Sequence, residues 1–231
     1  MTRLDQFLAS TTGLSRKEAK TAISRGRVRV DQVPCRSAST RLSDTAEVTL
    51  DGQPCVLPGQ QYLMLNKPAG VVSATRDSDH PTALDLLPKE LTRDLHIAGR
   101  LDVDTTGLLL LTSDGQWSHR VTSPRVNCPK TYLVSLDTPI TGTAVRALEQ
   151  GLLLRNDPEP TRPAQVVVLE DKLIELTISE GRYHQVKRMM AATGNHVLAL
   201  HRQRIGSITL DPALQPGEYR PLTSTEIDSV R

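Results

Sequence analysis

Aromatic side chains are scarce in this chain: one Phe, one Trp and four Tyr make up 3% of its residues. That is too few rings for a sheet that stacks several bases in the manner of an RRM. Cysteine is rarer still. Cys35, Cys55 and Cys128 are scattered, odd in number and free of C-x-x-C spacing, which argues against a disulfide framework and against a zinc site. No apolar run approaches the ~20 residues of a membrane-spanning helix. The N-terminus, Met-Thr-Arg-Leu-Asp-Gln-Phe, has no apolar signal core, so a cytoplasmic protein with no membrane partner is expected. Neither a repeat of solenoid period nor a low-complexity tract is found.

What remains is globular in character. The 231 residues are 38% hydrophobic and 23% charged, enough for one large or two modest domains with real cores. The net charge of +2 hides an asymmetry. Residues 1–30 carry seven Lys/Arg against two acids, and residues 181–204 carry five Lys/Arg, three His and no acid. Either island alone would read as a solvated helix face; two of them point to a polyanionic partner.

The first 55 residues read as helix, helix and hairpin. Leu4, Phe7 and Leu8 share a helix face that ends at Gly13. Ser15 and Glu18 form a capping box, and the helix they open buries Ala19, Ala22 and Ile23 before Gly26. Val28 and Val30 alternate with Arg27 and Arg29 as a strand with one basic face. Asp44–Leu50 reads as a turn and a second strand, closed by Asp51-Gly52. Leu57-Pro58-Gly59-Gln60-Gln61 has linker chemistry. The expected organisation is therefore a module over 1–57, a linker over 58–61 and a second domain over 62–231.

In the second domain, Tyr62–Leu65 reads as a buried strand, and Asn66–Gly70 as a turn with Lys67 at its tip, leading to strand Val71–Ser73. A short helix is expected near Leu84–Leu87. The central stretch runs from His96 to Gly115, with the ionic knot Arg100-Leu101-Asp102-Val103-Asp104, then Leu108–Leu111 as a buried strand and an Asp114-Gly115 turn. Further expected elements are a helix over Gln116–Thr122 ending near Pro124, a strand over Lys130–Leu136 with Tyr132, Val134 and Leu136 on one face, and a helix over 141–151. Strands broken by prolines are expected over 152–168, a strand over Leu173–Ser179, a helix over Tyr183–Thr193, and strands over His196–Arg202 and Ile205–Leu210. Crossovers are mostly too short for parallel βαβ units, so an α+β domain around a mixed, mainly antiparallel sheet is expected.

Charges pressed against an apolar run are costly unless they pair or act. Asp102 and Arg100 are the chemical focus on that ground. In an extended segment Asp102 and Asp104 would point the same way. The spacing Asp-x-Asp-x-Thr also suits a haloacid-dehalogenase-type phosphatase, but no continuous apolar strand precedes it and no later Asp pair completes a metal site. A glycosidase pair requires a carboxylate separation that sequence does not give. The plainest reading is an ion pair of Asp102 with Arg100 or Lys187 that fixes a turn. His96, His119, His184, His196 and His201 are not spaced as metal ligands.

Two sets of residues carry a family resemblance. Arg3-Leu4-Asp5, Leu14-Ser15-Arg16, Ala19, Ile23, Gly26, Val28 and Val30-Asp31 resemble the S4 RNA-binding domain. That resemblance implies a basic RNA-facing surface of Arg16, Lys17, Lys20, Arg25 and Arg27. Lys67-Pro68-Ala69-Gly70, Ala98–Leu109, Lys130-Thr131-Tyr132 and Glu180–Met189 are similar, in order and spacing, to pseudouridine synthases of the Rsu/RluB/RluE/RluF branch. Tyr183–Lys187 and His119–Pro124 are closest to its 16S rRNA members.

The resemblance implies isomerisation of a specific 16S rRNA uridine (position 516 for the 16S members) to pseudouridine, with base flipping and no metal or other cofactor. It implies Asp102 as the catalytic carboxylate, Lys187 as its basic partner with Arg188 as the substitute, and Tyr132 against the uracil. Leu176 and Ile178 would pack on the base's other face, and Arg100 would enter the RNA. Lys67 would support the cleft or contact phosphate, and Arg182 and Arg188 would contact RNA. The expected partner is 16S rRNA, naked or within a small-subunit assembly intermediate, and the expected state a monomer. A non-catalytic S4-type RNA-binding or ribosome-assembly factor is the alternative.

Overall fold

The computed structural model describes residues 2–43, 46–55, 59–123 and 126–230. Leu57 and Pro58 of the expected linker lie outside the described residues, as do Asp44 and Thr45 of the expected turn and Pro124 at the expected helix stop. The chain divides into two compact units, Met1–Gly59 and Gln60–Arg231.

The first unit opens with α1 (Leu4–Thr12), which ends at Gly13 in the left-handed conformation. The expected capping box starts α2 (Arg16–Ser24): Ser15 accepts from the Glu18 amide, and the Glu18 carboxylate accepts from the Ser15 amide. The helices pack through Leu4, Leu8, Ala19 and Ile23 onto Val28 and Val48. Beneath them lies a four-stranded antiparallel sheet rather than one hairpin. It comprises β1 (Val28–Val30), β2 (Val33–Pro34), β3 (Val48–Leu50) and β4 (Gln53–Cys55), in the order β2-β1-β3-β4. Asp51-Gly52 and Asp31-Gln32 each place two consecutive residues at positive φ, as tight hairpin turns require. Only the first carries the Asp-Gly signature.

The second unit is built on a nine-stranded sheet. Its path is β13 (Tyr219–Pro221), β5 (Tyr62–Lys67), β7 (Thr106–Thr112), β11 (Val197–Ile205), β8 (Lys130–Leu136), β10 (Leu173–Ile178) and β9 (Gln165–Glu170). β6 (His96–Ala98) pairs with β7, and β12 (Ile208–Thr209) with β11. The β7–β11 pair is parallel; the other described pairs are antiparallel. The helices are α3 (Lys89–Thr92), α4 (Gly115–Thr122), α5 (Gly142–Gln150), α6 (Gln185–Ala192) and α7 (Ser224–Asp228).

The four leucines of β7 are all fully buried because the sheet is covered on both faces there. Leu109 and Leu111 join Leu63, Leu65, Tyr132 and Leu176 in one core; Leu108 and Leu110 join Met64, Trp117 and Ile205 in another. This two-sided burial explains an unbroken apolar run in place of alternation.

Several expectations need correction. Lys67 is the last residue of β5, so the turn begins after it. Val71–Ser73 is not a strand; Val72 makes one isolated bridge to Thr82. At the expected Asp114-Gly115 turn, Asp114 is the N-cap of α4, accepting from the amides of Gln116 and Trp117, and the helix starts at Gly115. The expected short helix is a 3-10 turn, Ala83–Leu86, opened by a Thr82/Asp85 capping box. Residues 152–164 contain no strand. α6 begins at Gln185, leaving Tyr183 and His184 outside the helix. β4, β6, β13, α3 and α7 were not anticipated by periodicity, being only three to five residues long.

Candidate active site

The knot lies on the loop Gly99–Thr105 between β6 and β7. It is not extended. The Thr105 amide donates to the Asp102 carbonyl at 3.1 Å, closing a turn, and both carboxylates converge on one ammonium. Lys187 Nζ lies 3.2 Å from Asp102 Oδ2 and donates to Asp104 Oδ1 and Oδ2 at 2.6 and 2.9 Å. Lys187 therefore bridges two acids, and its shorter bond is to Asp104.

Burial works against the Lys187 charge, but its bonds to Asp104 and Asp102 outweigh that and raise its pKa. The same bond holds the Asp104 carboxyl below its usual range. Asp102 is the more sheltered acid, its side chain 27% exposed against 66% for Asp104. On its other oxygen, Oδ1, it faces His184 Nε2 at 3.4 Å.

Two buried cations grip the loop from beneath. Lys67 is fully buried, and its Nζ donates to the carbonyls of Pro68, Val103 and Thr105 at 2.9, 3.3 and 2.8 Å. It cannot reach RNA phosphate, which corrects its assignment as an RNA contact. Burial lowers its pKa to about 8, against the pull of Asp104 and Asp102. Arg202, 1% exposed, donates to the carbonyls of Leu108, Arg100 and Gly99 at 2.9, 3.4 and 2.7 Å. Its guanidinium stands 6.0 Å from the centre of the Tyr132 ring, at the outer reach of a cation–π contact. One cation holds carbonyls before Asp102 and the other holds carbonyls after it. The Leu101 amide, donating to Ser73 Oγ at 2.9 Å, and the Gly70 amide, donating to Val103 O at 2.8 Å, complete the clamp.

This arrangement offers one sheltered carboxylate with a cation in contact, on a loop fixed through its backbone. Such a group suits chemistry at a carbon centre that needs a single carboxylate. A family model described as RNA pseudouridylate synthase matches residues 61–192, and one described as S4 domain matches residues 2–55.

The chain belongs to the RNA pseudouridylate synthase family.

It is 53% identical over 229 residues to ribosomal small subunit pseudouridine synthase A of Escherichia coli (strain K12), covering 99% of each chain. To the protein of the same name from Vibrio cholerae it is 51% identical over 228 residues, again covering 99% of each. A crystal structure described as a pseudouridylate synthase superposes with a TM-score of 0.74 at 48% identity, covering 100% of both chains. The family's enzymes are isomerases, and the α+β fold with an S4 module and a mixed sheet is the family's fold.

The other residues singled out in the sequence fall into three groups. Arg100 is exposed and has no side-chain partner among the described residues, which leaves its guanidinium free for a ligand. Tyr132 is buried at 7% exposure, and Leu176 and Ile178 at 0% and 3%. All three belong to one core, so the two aliphatic side chains expose no appreciable surface to a base.

Arg182 and Arg188 are engaged internally. Arg182 pairs with Asp157 and Glu180 at 3.0 and 3.2 Å and donates to the carbonyls of Glu159 and Pro160. Arg188 pairs with Asp157 at 2.7 Å and donates to Arg155 O. Asp157, distant in sequence, and the neighbouring Glu180 take up two of the five cations that 181–204 displays. Arg188 is thus not a substitute for Lys187, and both arginines are corrected from free RNA contacts to structural ones.

In the S4 unit, Arg16, Lys17, Lys20 and Arg25 are exposed, while Arg27 forks onto Asp51. Sequence reasoning missed Arg202 and the placement of His184. The signal for Arg202 was present: it shares the strand parity of Leu200, which faces the core, and a charge at such a position needs partners.

Proposed function

We propose that this protein isomerises one uridine of small-subunit ribosomal RNA to pseudouridine, with Asp102 as its catalytic carboxylate. The reaction breaks the N1–C1′ bond, turns the uracil within the site and joins C5 to C1′; the proton on C5 leaves and N1 gains one. The observation that carries the reading is the sheltered Asp102 with Lys187 at 3.2 Å, in a chain 53% identical to a ribosomal small subunit pseudouridine synthase. Lys187 sets a positive charge against the Asp102 carboxylate, 3.2 Å from its Oδ2. In this reading Tyr132, 7% exposed, borders the uracil through its small accessible edge and assists proton removal at C5. Arg100, exposed beside Asp102, enters the RNA where the uridine leaves the stack.

In this reading the module over 1–57 anchors the RNA through Arg16, Lys17, Lys20 and Arg25, and the domain over 62–231 performs the chemistry. The protein works as a monomer in the cytoplasm on 16S rRNA or a small-subunit assembly intermediate. The test is incubation with 16S transcript or assembly intermediate, read by carbodiimide-dependent reverse-transcription stops. Native protein is expected to give one new stop, and Asp102→Asn none while still binding the RNA. RNA binding without any stop from the native protein would favour a non-catalytic assembly factor instead.

A further inference from the structure

Tyr183 is more exposed, at 78%, than any other large apolar or aromatic side chain among the described residues. In a chain with 3% aromatics, an unburied ring calls for a role. Its surroundings supply one. Tyr183 stacks on the imidazole of His184, with ring centres 3.8 Å apart and planes at 21°. His184 caps α6 in the left-handed conformation, φ 47° and ψ 35°, which few residues other than glycine adopt. The same imidazole touches Asp102 through Nε2 at 3.4 Å. The exposed ring is therefore tied to the catalytic carboxylate through a single intervening side chain.

The backbone beneath it is held. The Tyr183 carbonyl accepts from Arg188 Nη1 at 3.3 Å. The Arg182 amide donates to Gln185 Oε1 at 2.8 Å, and the Gln185 amide to the Arg182 carbonyl at 3.2 Å. A rigid loop that presents an aromatic ring loses little conformational freedom when something stacks on it. The imidazole already fills one place in a stack, and the outer face of Tyr183 offers the next.

We propose that the outer face of Tyr183 is a nucleobase-stacking subsite for an unpaired base flanking the target uridine. It rests on the reading of the chain as an RNA pseudouridine synthase. The base belongs to a neighbour of the target because the imidazole already touches both the Tyr183 ring and Asp102, and the reacting sugar must lie at Asp102. Stacking accepts any base, since every base has a π-face. The subsite fixes the strand beside the extruded nucleotide without reading its sequence.

The test uses the full chain with an RNA fragment containing the target uridine, 2-aminopurine being placed singly at each flanking position. Native protein and Tyr183→Phe are expected to change the fluorescence at one flanking position, and Tyr183→Ala to lose that change. Tyr183→Ala should also raise KM about tenfold, a typical cost of losing one base–aromatic stack, with kcat within about threefold of native. Equal fluorescence for native and Tyr183→Ala at every position would overturn the subsite, as would a fall in kcat with KM unchanged. The fluorescence needs binding alone. A native protein that shows the signal but forms no pseudouridine therefore refutes the proposed function and leaves the subsite standing. An RNA that native protein does not bind overturns both.

Discussion

Lys187 donates a shorter bond to Asp104, 2.6 Å, than the 3.2 Å that separates it from Asp102. Asp104 thus holds the ammonium in place while Asp102, the more sheltered acid, shares its charge. Removing the ammonium should harm chemistry far more than removing the outer acid. Lys187→Met is expected to lower single-turnover pseudouridine formation by about 10²-fold or more, in the range lost with a group that sets a catalytic proton balance. Asp104→Asn should lower it by less than about tenfold, because an exposed partner contributes little. Equal losses in the two variants would contradict this division.

Arg202 has no carboxylate partner among the described residues and holds three main-chain oxygens. Arg202→Met removes the donor to the buried Leu108 carbonyl and to the part-buried carbonyls of Gly99 and Arg100, which should cost about 2 kcal/mol of stability. Urea unfolding reads this directly. Turnover should fall further than the folded fraction does, since the carbonyls of Gly99 and Arg100 set the approach to Asp102.

Lys67 gives a stability signature in pH. Its pKa is about 8 in the folded chain against an ordinary value of 10.5. Between those values the unfolded chain binds more protons, so this group's contribution makes stability rise with pH across that window. Below about pH 8 its buried charge opposes folding by about 3 kcal/mol, and the penalty is relieved as pH approaches 10.5. Urea unfolding of native protein and Lys67→Met at pH 7.5 and 9.5 checks it. The native protein should gain about 2 kcal/mol relative to the variant between the two; parallel pH profiles would refute the assignment.

Gly107 sits where β7 meets the backbone of β11. A Cβ there would lie 2.4 Å from the Arg202 carbonyl oxygen and 2.9 Å from its amide nitrogen, and φ is +97°. Gly107→Ala must therefore push apart the β7–β11 pair. A loss of about 3 kcal/mol is expected by chemical denaturation, with turnover reduced through the displaced Asp102 loop.

The S4 unit should act through the exposed cations not forked onto a carboxylate, Lys20 making only a 4.0 Å contact with Asp5. Replacing Arg16, Lys17 and Lys20 together with Ala should weaken RNA binding and lower the slope of log K against log salt by about 2. Arg27→Ala should change that slope little, because Asp51 already holds its guanidinium. Binding titrations from low to moderate salt distinguish the two. A full loss of slope on Arg27→Ala would place that arginine on the RNA.

Much of this architecture was legible where a local rule has a single solution. Ser15 and Glu18 announce a helix start, Leu108–Leu111 a buried strand, and Gly13 a helix end. The pairing of Asp102 with Lys187 was also within reach, because the family motifs place both residues. Most of what escaped depends on contacts distant in sequence or on a local backbone turn that periodicity does not signal. Lys67-Pro68-Ala69-Gly70 reads as an exposed turn, and only the loop packed over β5 buries the lysine. Arg182 and Arg188 read as free cations until Asp157 and Glu180 fold against them. His184 looks like part of a helix until its left-handed backbone turns its ring toward Tyr183.

The grip on the Asp102 loop has a practical consequence. Lys67 and Arg202 hold main-chain oxygens, so the path of the loop is independent of which side chain occupies position 102. An isosteric Asp102→Asn chain should keep its shape to within coordinate error. It would then serve as an inert decoy, able to trap RNA with the uridine extruded and unreacted for direct imaging of the engaged complex.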